Sequence, residues 1–173
     1  MEVLGDLIKI LLPAAAVLYA MYLTVKAFLN KDFDKRLVDI KIKNTEVTLP
    51  LRLQAYERMC LFLERISPHN LVVRLNEPAY NAIQFHQKLL SEVREEFNHN
   101  VSQQIYMSDQ SWAMVRNAME EVVSVINASG SALPSDARGL DMAKLIFENL
   151  LQKNEDPTTK ALKFLKNEIR SVF

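Results

Sequence analysis

Between Lys9 and Lys26 lie sixteen consecutive uncharged residues, ILLPAAAVLYAMYLTV. This run constrains the chain more than any other stretch. A helix in the core of a soluble protein is expected to keep a polar stripe at helical spacing, and none exists here. A membrane helix needs ~20 mainly apolar residues to cross a hydrocarbon core of about 30 Å. Residues 10–25 are too few alone. The two flanking lysines can bury their stems and lift their amines to the interface, which extends the usable stretch from Leu7 to Leu29. At ~1.5 Å per residue, that stretch spans roughly 34 Å. Tyr19, Tyr22 and Phe28 stand toward its C-terminal end, where amphipathic rings favour a lipid–water boundary. Pro13 frees one carbonyl in the first third, which a membrane helix tolerates near its end.

Three other interpretations compete. A cleaved signal peptide wants small residues after the apolar run, but Ala14, Ala15 and Ala16 fall inside it. A core helix of a soluble bundle lacks its polar stripe. An interfacial helix needs a strongly polar face, which is missing. The flanking charge then predicts orientation. Lys26, Lys31, Lys35, Arg36, Lys41 and Lys43 follow the segment, whereas Lys9 and the terminal amine precede it beside Glu2 and Asp6. Basic residues stay cytoplasmic during insertion. The expected organisation is a non-cytoplasmic terminus at 1–6, a transmembrane helix at 7–29, a charged helical stalk at 30–47 and a cytosolic helical domain at 48–173.

Acidic and basic residues balance, 21 against 21, so the basic excess of a nucleic-acid binder is lacking. Three glycines and six prolines are few for a multi-stranded β protein and ordinary for a helical one. Cys60 is the single cysteine, so no intrachain disulfide forms and a reducing compartment is the simplest setting. The N-x-S patterns at Asn100 and Asn127 are short enough to arise by chance and irrelevant to a cytosolic domain.

The stalk, NKDFDKRLVDIKIKNTEV, alternates in charge sign, and Phe33, Leu37 and Ile40 fall at coiled-coil spacing. Thr48 and Pro50 predict the start of a new helix. Its apolar stripes are Leu53, Tyr56, Cys60 and Leu63, beside Ala55, Met59, Phe62 and Ile66. Ser67-Pro68 breaks it, and residues 69–75 make a short helix or a connector. Asn76 and Pro78 predict the next start, followed by Ala79, Ala82, Ile83, His86, Leu90, Val93 and Phe97 on one face. This helix is expected to reach Ile105. Ser108 caps another, with Trp112, Val115, Met119, Val122 and Ile126 inward. Residues 128–139 read as a loop, after which Ser135 or Asp136 caps a helix through Leu151 carrying Leu140, Ala143, Phe147 and Leu150 inward. Asp156-Pro157 opens the last helix, with Ala161, Leu162, Leu165, Ile169 and Val172 on one side. The expected fold class is all-α: a spanning helix, a stalk and about five packed helices.

The chemistry is thin. Glu96-Phe97-Asn98-His99 is an E-x-x-H, which di-iron bundles use twice with further glutamates. No second copy exists, so His86, Glu95, Glu96 and His99 are metal candidates only if a dimer completes the set. His86 sits on an apolar face, where a half-buried core histidine is the simpler role. Cys60 lies on a buried stripe, unlike the partly exposed, electropositive site of a nucleophilic thiol. No P-loop, dinucleotide-binding glycine fingerprint, G-x-S-x-G or H-E-x-x-H occurs. Ala16 and Ala20 form a small-x-x-x-small pair suited to helix pairing in lipid. No catalytic residue and no cofactor is expected.

Two stretches carry a resemblance: TLPLRLQAYERMCLFLERISPHNLVVRL at 48–75 and NHNVSQQIYMSDQSW at 98–112. With the preceding apolar helix, they resemble a family of small membrane-anchored proteins from Bacteroidota with no assigned function. The resemblance implies a bacterial inner-membrane protein with a cytosolic helical domain, and it transfers no activity. The expected role is an interaction or scaffold module that binds the membrane through residues 7–29 and a protein partner or its own copy, with no nucleic acid. The alternatives are a metal-binding or enzymatic bundle, and a soluble bundle with the first helix in its core.

Overall fold

The structure is a computed structural model that describes residues 2–134, 136–152 and 156–171, with side chains from residue 11 onward. Regular structure among these residues is helical: α1 (Glu2–Ile66), α2 (Pro68–Leu75), α3 (Ala82–Asn100), a 3-10 helix (Val101–Tyr106), α4 (Asp109–Ser131), α5 (Gly139–Gln152) and α6 (Pro157–Arg170). The chain divides into two compact units, Met1–Leu49 and Pro50–Phe173. Thr48 and Pro50 lie inside α1 and do not open a new helix. Proline deletes a single backbone donor at the cost of about 3 kcal/mol, and the helix-forming residues around it carry the helix past the gap.

The first unit is helical throughout its described residues, and none of its described side chains is buried. Thr24 and Thr45 donate to the carbonyls of Ala20 and Lys41, and Arg36 pairs with Asp32 at 2.8 Å.

The second unit holds the core. The last turns of α1 bury Ala55, Tyr56, Met59, Phe62, Leu63 and Ile66, as their spacing predicts, while Leu53 is exposed and Cys60 half-buried. Residues 69–75 belong to a true helix, with Pro68 in its first turn and Leu71 and Val72 inward. Asn76 ends α2 and does not start α3. The α3 cap is Asn81, which accepts from the Gln84 amide at 2.8 Å, while the Gln84 side chain accepts from the Asn81 amide at 3.1 Å. That reciprocal pair satisfies two orphan donors at once, which Asn76 and Pro78 cannot do. The buried face of α3 is Ala82, Phe85, Leu89 and Val93. The predicted face was therefore rotated: Ile83 and Ala79 are exposed, and His86, Leu90 and Phe97 sit at its margin.

Ser108 caps α4 by accepting from the Ser111 amide at 3.0 Å. Val115, Ala118, Val122, Val125 and Ile126 are buried, with Trp112 and Met119 partly so. The Phe97 ring stacks on Trp112 at 5.5 Å and tilts against Phe62 at 6.0 Å. α4 runs through Ala128 to Ser131, so the connection to α5 is shorter than the predicted loop. Asp136 is exposed and no cap of α5, whose first residue is Gly139; Ser135 lies outside the described residues. Arg138 and Asp141 form a two-point pair at that start. Two backbone bonds, Ala82 to Ala137 and Gly139 to Tyr80, stitch this connection to the start of α3. Met142, Ala143 and Ile146 of α5 point inward and Leu140 is exposed. Asp156 caps α6 through the Thr158 amide at 2.8 Å, and Pro157, Ala161, Leu162 and Leu165 are buried; Val172 lies outside the described residues. α4 packs against α3, α5 and α6, and α3 also meets α2 and α5.

Candidate functional site

His86, the residue with most chemical scope, is positioned by the capped start of α3 and lines a cavity of about 280 Å³ with Ala82, Ile83, Asn127, Gly130 and Leu133. Its Nε2 lies 3.0 Å from Asn127 Oδ1. A Cβ on Gly130 would stand 2.7 Å from His86 Cδ2, so the bare backbone of α4 lets the ring approach. Ser131 also borders the cavity, but its hydroxyl donates to the Asn127 carbonyl at 2.9 Å. A histidine held by an amide, with no carboxylate among the described residues to orient it and a serine turned to the backbone, lacks there the chain of contacts that activates a nucleophile.

The other metal candidates are not gathered around His86. His99 is exposed in the last turn of the same helix, ~20 Å along its axis at ~1.5 Å per residue. Glu95 accepts from Ser91 at 2.7 Å, and Glu96 pairs with Arg65 at 2.5 Å. Among the described residues, no group of three or more His, Cys, Asp or Glu side chains could hold a metal ion. His69 packs instead on the Phe147 ring at 5.9 Å.

Two charged clusters tie helices together. Glu92 lies against Arg74 at 2.5 Å, with Arg65 and Lys88 near 4 Å. The Arg74 hydrogen bond, more than the burial opposing it, holds the Glu92 carboxyl below the ordinary value of 4.5. Glu168 of α6 accepts from Ser111 at the start of α4. Burial pushes the Glu168 carboxyl up, but the Ser111 hydrogen bond, the nearby hydroxyls of Ser108 and Tyr56 and the Arg52 charge bring it below its ordinary value. The Tyr56 hydroxyl is buried near this carboxylate and has no hydrogen-bond partner among the described residues. Cys60 is half-buried on α1, one helical turn after Tyr56. Burial raises its thiol pKa, against the opposing pull of Lys166, which suits a packing role over a nucleophilic one.

Sequence reasoning missed a shallow groove of about 500 Å³ bordered by Glu64, Ser67, Thr159, Lys163, Lys166 and Arg170. The signal was available: Thr159, Lys163, Lys166 and Arg170 recur at helical spacing opposite the buried face of α6. It also missed Asn127 as the partner of His86, because the two are 41 positions apart.

These sites define an all-helical chain with one long apolar helix and small polar clefts, without an assembled catalytic constellation among its described residues. A family model described as a family of unknown function (DUF7935) matches residues 2–172, and the chain belongs to that family. No curated protein and no solved structure matches it.

Proposed function

We propose that the protein is a membrane-anchored helical interaction module. In this reading, residues 7–29 cross a bacterial inner membrane once, and the unit from Pro50 onward works on the cytoplasmic side. The observation that carries the proposal is the helix Leu11–Ile66, which is long and apolar enough to cross a bilayer and whose side chains from Leu11 to Leu29 are all exposed. A soluble core helix of this composition would bury most of its side chains, because each large apolar one gains about 1.5–3 kcal/mol by leaving water. Lipid supplies that gain to a helix exposed on every side. The basic residues after the run support the orientation. Tethering raises the effective concentration of a binding surface, so clefts as shallow as those of the second unit suffice for a partner held at the same membrane.

Fractionation of cells expressing the full chain tests the proposal. The chain should stay with the membrane pellet through carbonate and high-salt washing, and protease added to the outside of spheroplasts should leave the C-terminal unit intact. Release of unprocessed chain by carbonate would overturn the anchor. Digestion of the C-terminal unit from outside would reverse the orientation.

A further inference from the structure

Beyond the apolar run, six large apolar side chains of the first unit stand in water; four of them share one heptad seam, while Val38 and Ile42 fall off it. Phe33, Leu37, Ile40 and Val47 are 64%, 58%, 56% and 67% exposed. With Asn30 and Asn44 they recur at intervals of three, four, three, four and three, which is the a/d pattern of a heptad repeat. Asn30, Leu37 and Asn44 take the a positions, and Phe33, Ile40 and Val47 the d positions. A helix draws most of its stability from packing an apolar face, and this face has no partner within the unit.

We propose that this stripe is the seam of a parallel, in-register coiled coil with a second copy of the same chain. Self-pairing is favoured over another partner by the order of residues along the seam. In register, every apolar position meets its own counterpart, and Asn30 and Asn44 each meet an asparagine that can share a hydrogen bond. A slip of one heptad would set Leu37 against asparagine at both ends, so the two polar a positions select one alignment. Across the seam, Arg36 at g approaches Lys41 at e of the second copy. Asp32 already holds Arg36 at 2.8 Å, which weakens that repulsion. The seam covers 18 residues, or roughly 27 Å at ~1.5 Å per residue, which is short for stable pairing from dilute solution. The parallel sense rests on the membrane reading: two anchors inserted alike present their stalks side by side at high effective concentration.

Single cysteines placed in the full-length chain, with Cys60→Ala as background, test the seam in native membranes under mild oxidation. Leu37→Cys, Ile40→Cys and Asn44→Cys should cross-link to like copies at least fivefold more than Lys35→Cys, Asp39→Cys and Ile42→Cys. Ile42 is the sharpest control, since it is apolar and exposed but falls off the seam. Phe33→Cys and Val47→Cys should also cross-link, as only a parallel pair brings both ends onto themselves. Absent cross-links, equal yield at all phases, or yield confined to the middle of the seam would overturn the proposal. Carbonate extraction of the same membranes judges the anchor separately. A periodic pattern in an extractable chain upholds the pairing and removes the anchor, whereas a flat pattern in a membrane-bound chain removes the pairing alone.

Discussion

His86 and Gly130 show how a single missing carbon shapes this protein. Alanine at position 130 should gain about 1 kcal/mol from helix propensity. Its Cβ would also stand 2.7 Å from the His86 ring, closer than side chains pack, so the ring must move and give up its Asn127 partner. The loss of that hydrogen bond costs about 1 kcal/mol, roughly cancelling the gain. Gly130→Ala is therefore expected to be neutral or mildly destabilising in the native background, and stabilising by ~1 kcal/mol once His86→Ala has emptied the space. A double-mutant cycle followed by chemical unfolding measures this coupling. Equal effects in both backgrounds would show that the ring does not depend on the glycine.

At the scale of an element, the helix starts differ in how much each owes to its own sequence. Asp156 caps α6 by accepting from the Thr158 amide and hydroxyl, and Pro157 presets the first turn. Replacing a capping aspartate by alanine costs about 1 kcal/mol. Asp156→Ala should lower stability by about that amount, while Asp156→Asn should retain most of it, as read from the thermal midpoint of Trp112 fluorescence. Ser108 and Asp156 were legible because a cap is a contact over two or three residues. The start of α3 was not: Asn76-x-Pro78 and Asn81-x-x-Gln84 both carry a start signal, and only the second closes a reciprocal capping box. The face of α3 was misread for a related reason. Ile83, His86 and Leu90 repeat at helical spacing as well as Ala82, Phe85, Leu89 and Val93 do, and periodicity alone cannot rank two adjacent stripes.

Across the whole molecule, Glu92 and Glu168 make stability depend on pH. Glu92 binds α3 to Arg74 of α2 and lies 3.8 Å from Arg65 of α1, and Glu168 binds α6 to the start of α4. Both carboxyls titrate below 4.5 when folded. A carboxyl depressed by folding contributes its full stabilisation above its unfolded value and loses it as pH falls through the folded value. The chain should thus hold its stability from neutral pH to about 5 and lose it progressively below about 4.5. Glu92→Gln with Glu168→Gln should flatten that acid limb and cost about 1 kcal/mol per site at pH 7, a figure kept small because the partners of Glu92 are partly exposed. Thermal midpoints of Trp112 fluorescence at pH 7, 5 and 4 check this, and an unchanged acid limb in the double variant would assign it to other groups. The sequence by itself determined the helical class, the long apolar run and the caps at Ser108 and Asp156, because each depends on residues within a few turns. Tertiary structure alone decided which face of α3 is buried, that Asn127 holds His86, and that Arg74 and Arg65 converge on Glu92. Those outcomes depend on side chains tens of positions apart, and the chain brings them together only by packing its helices.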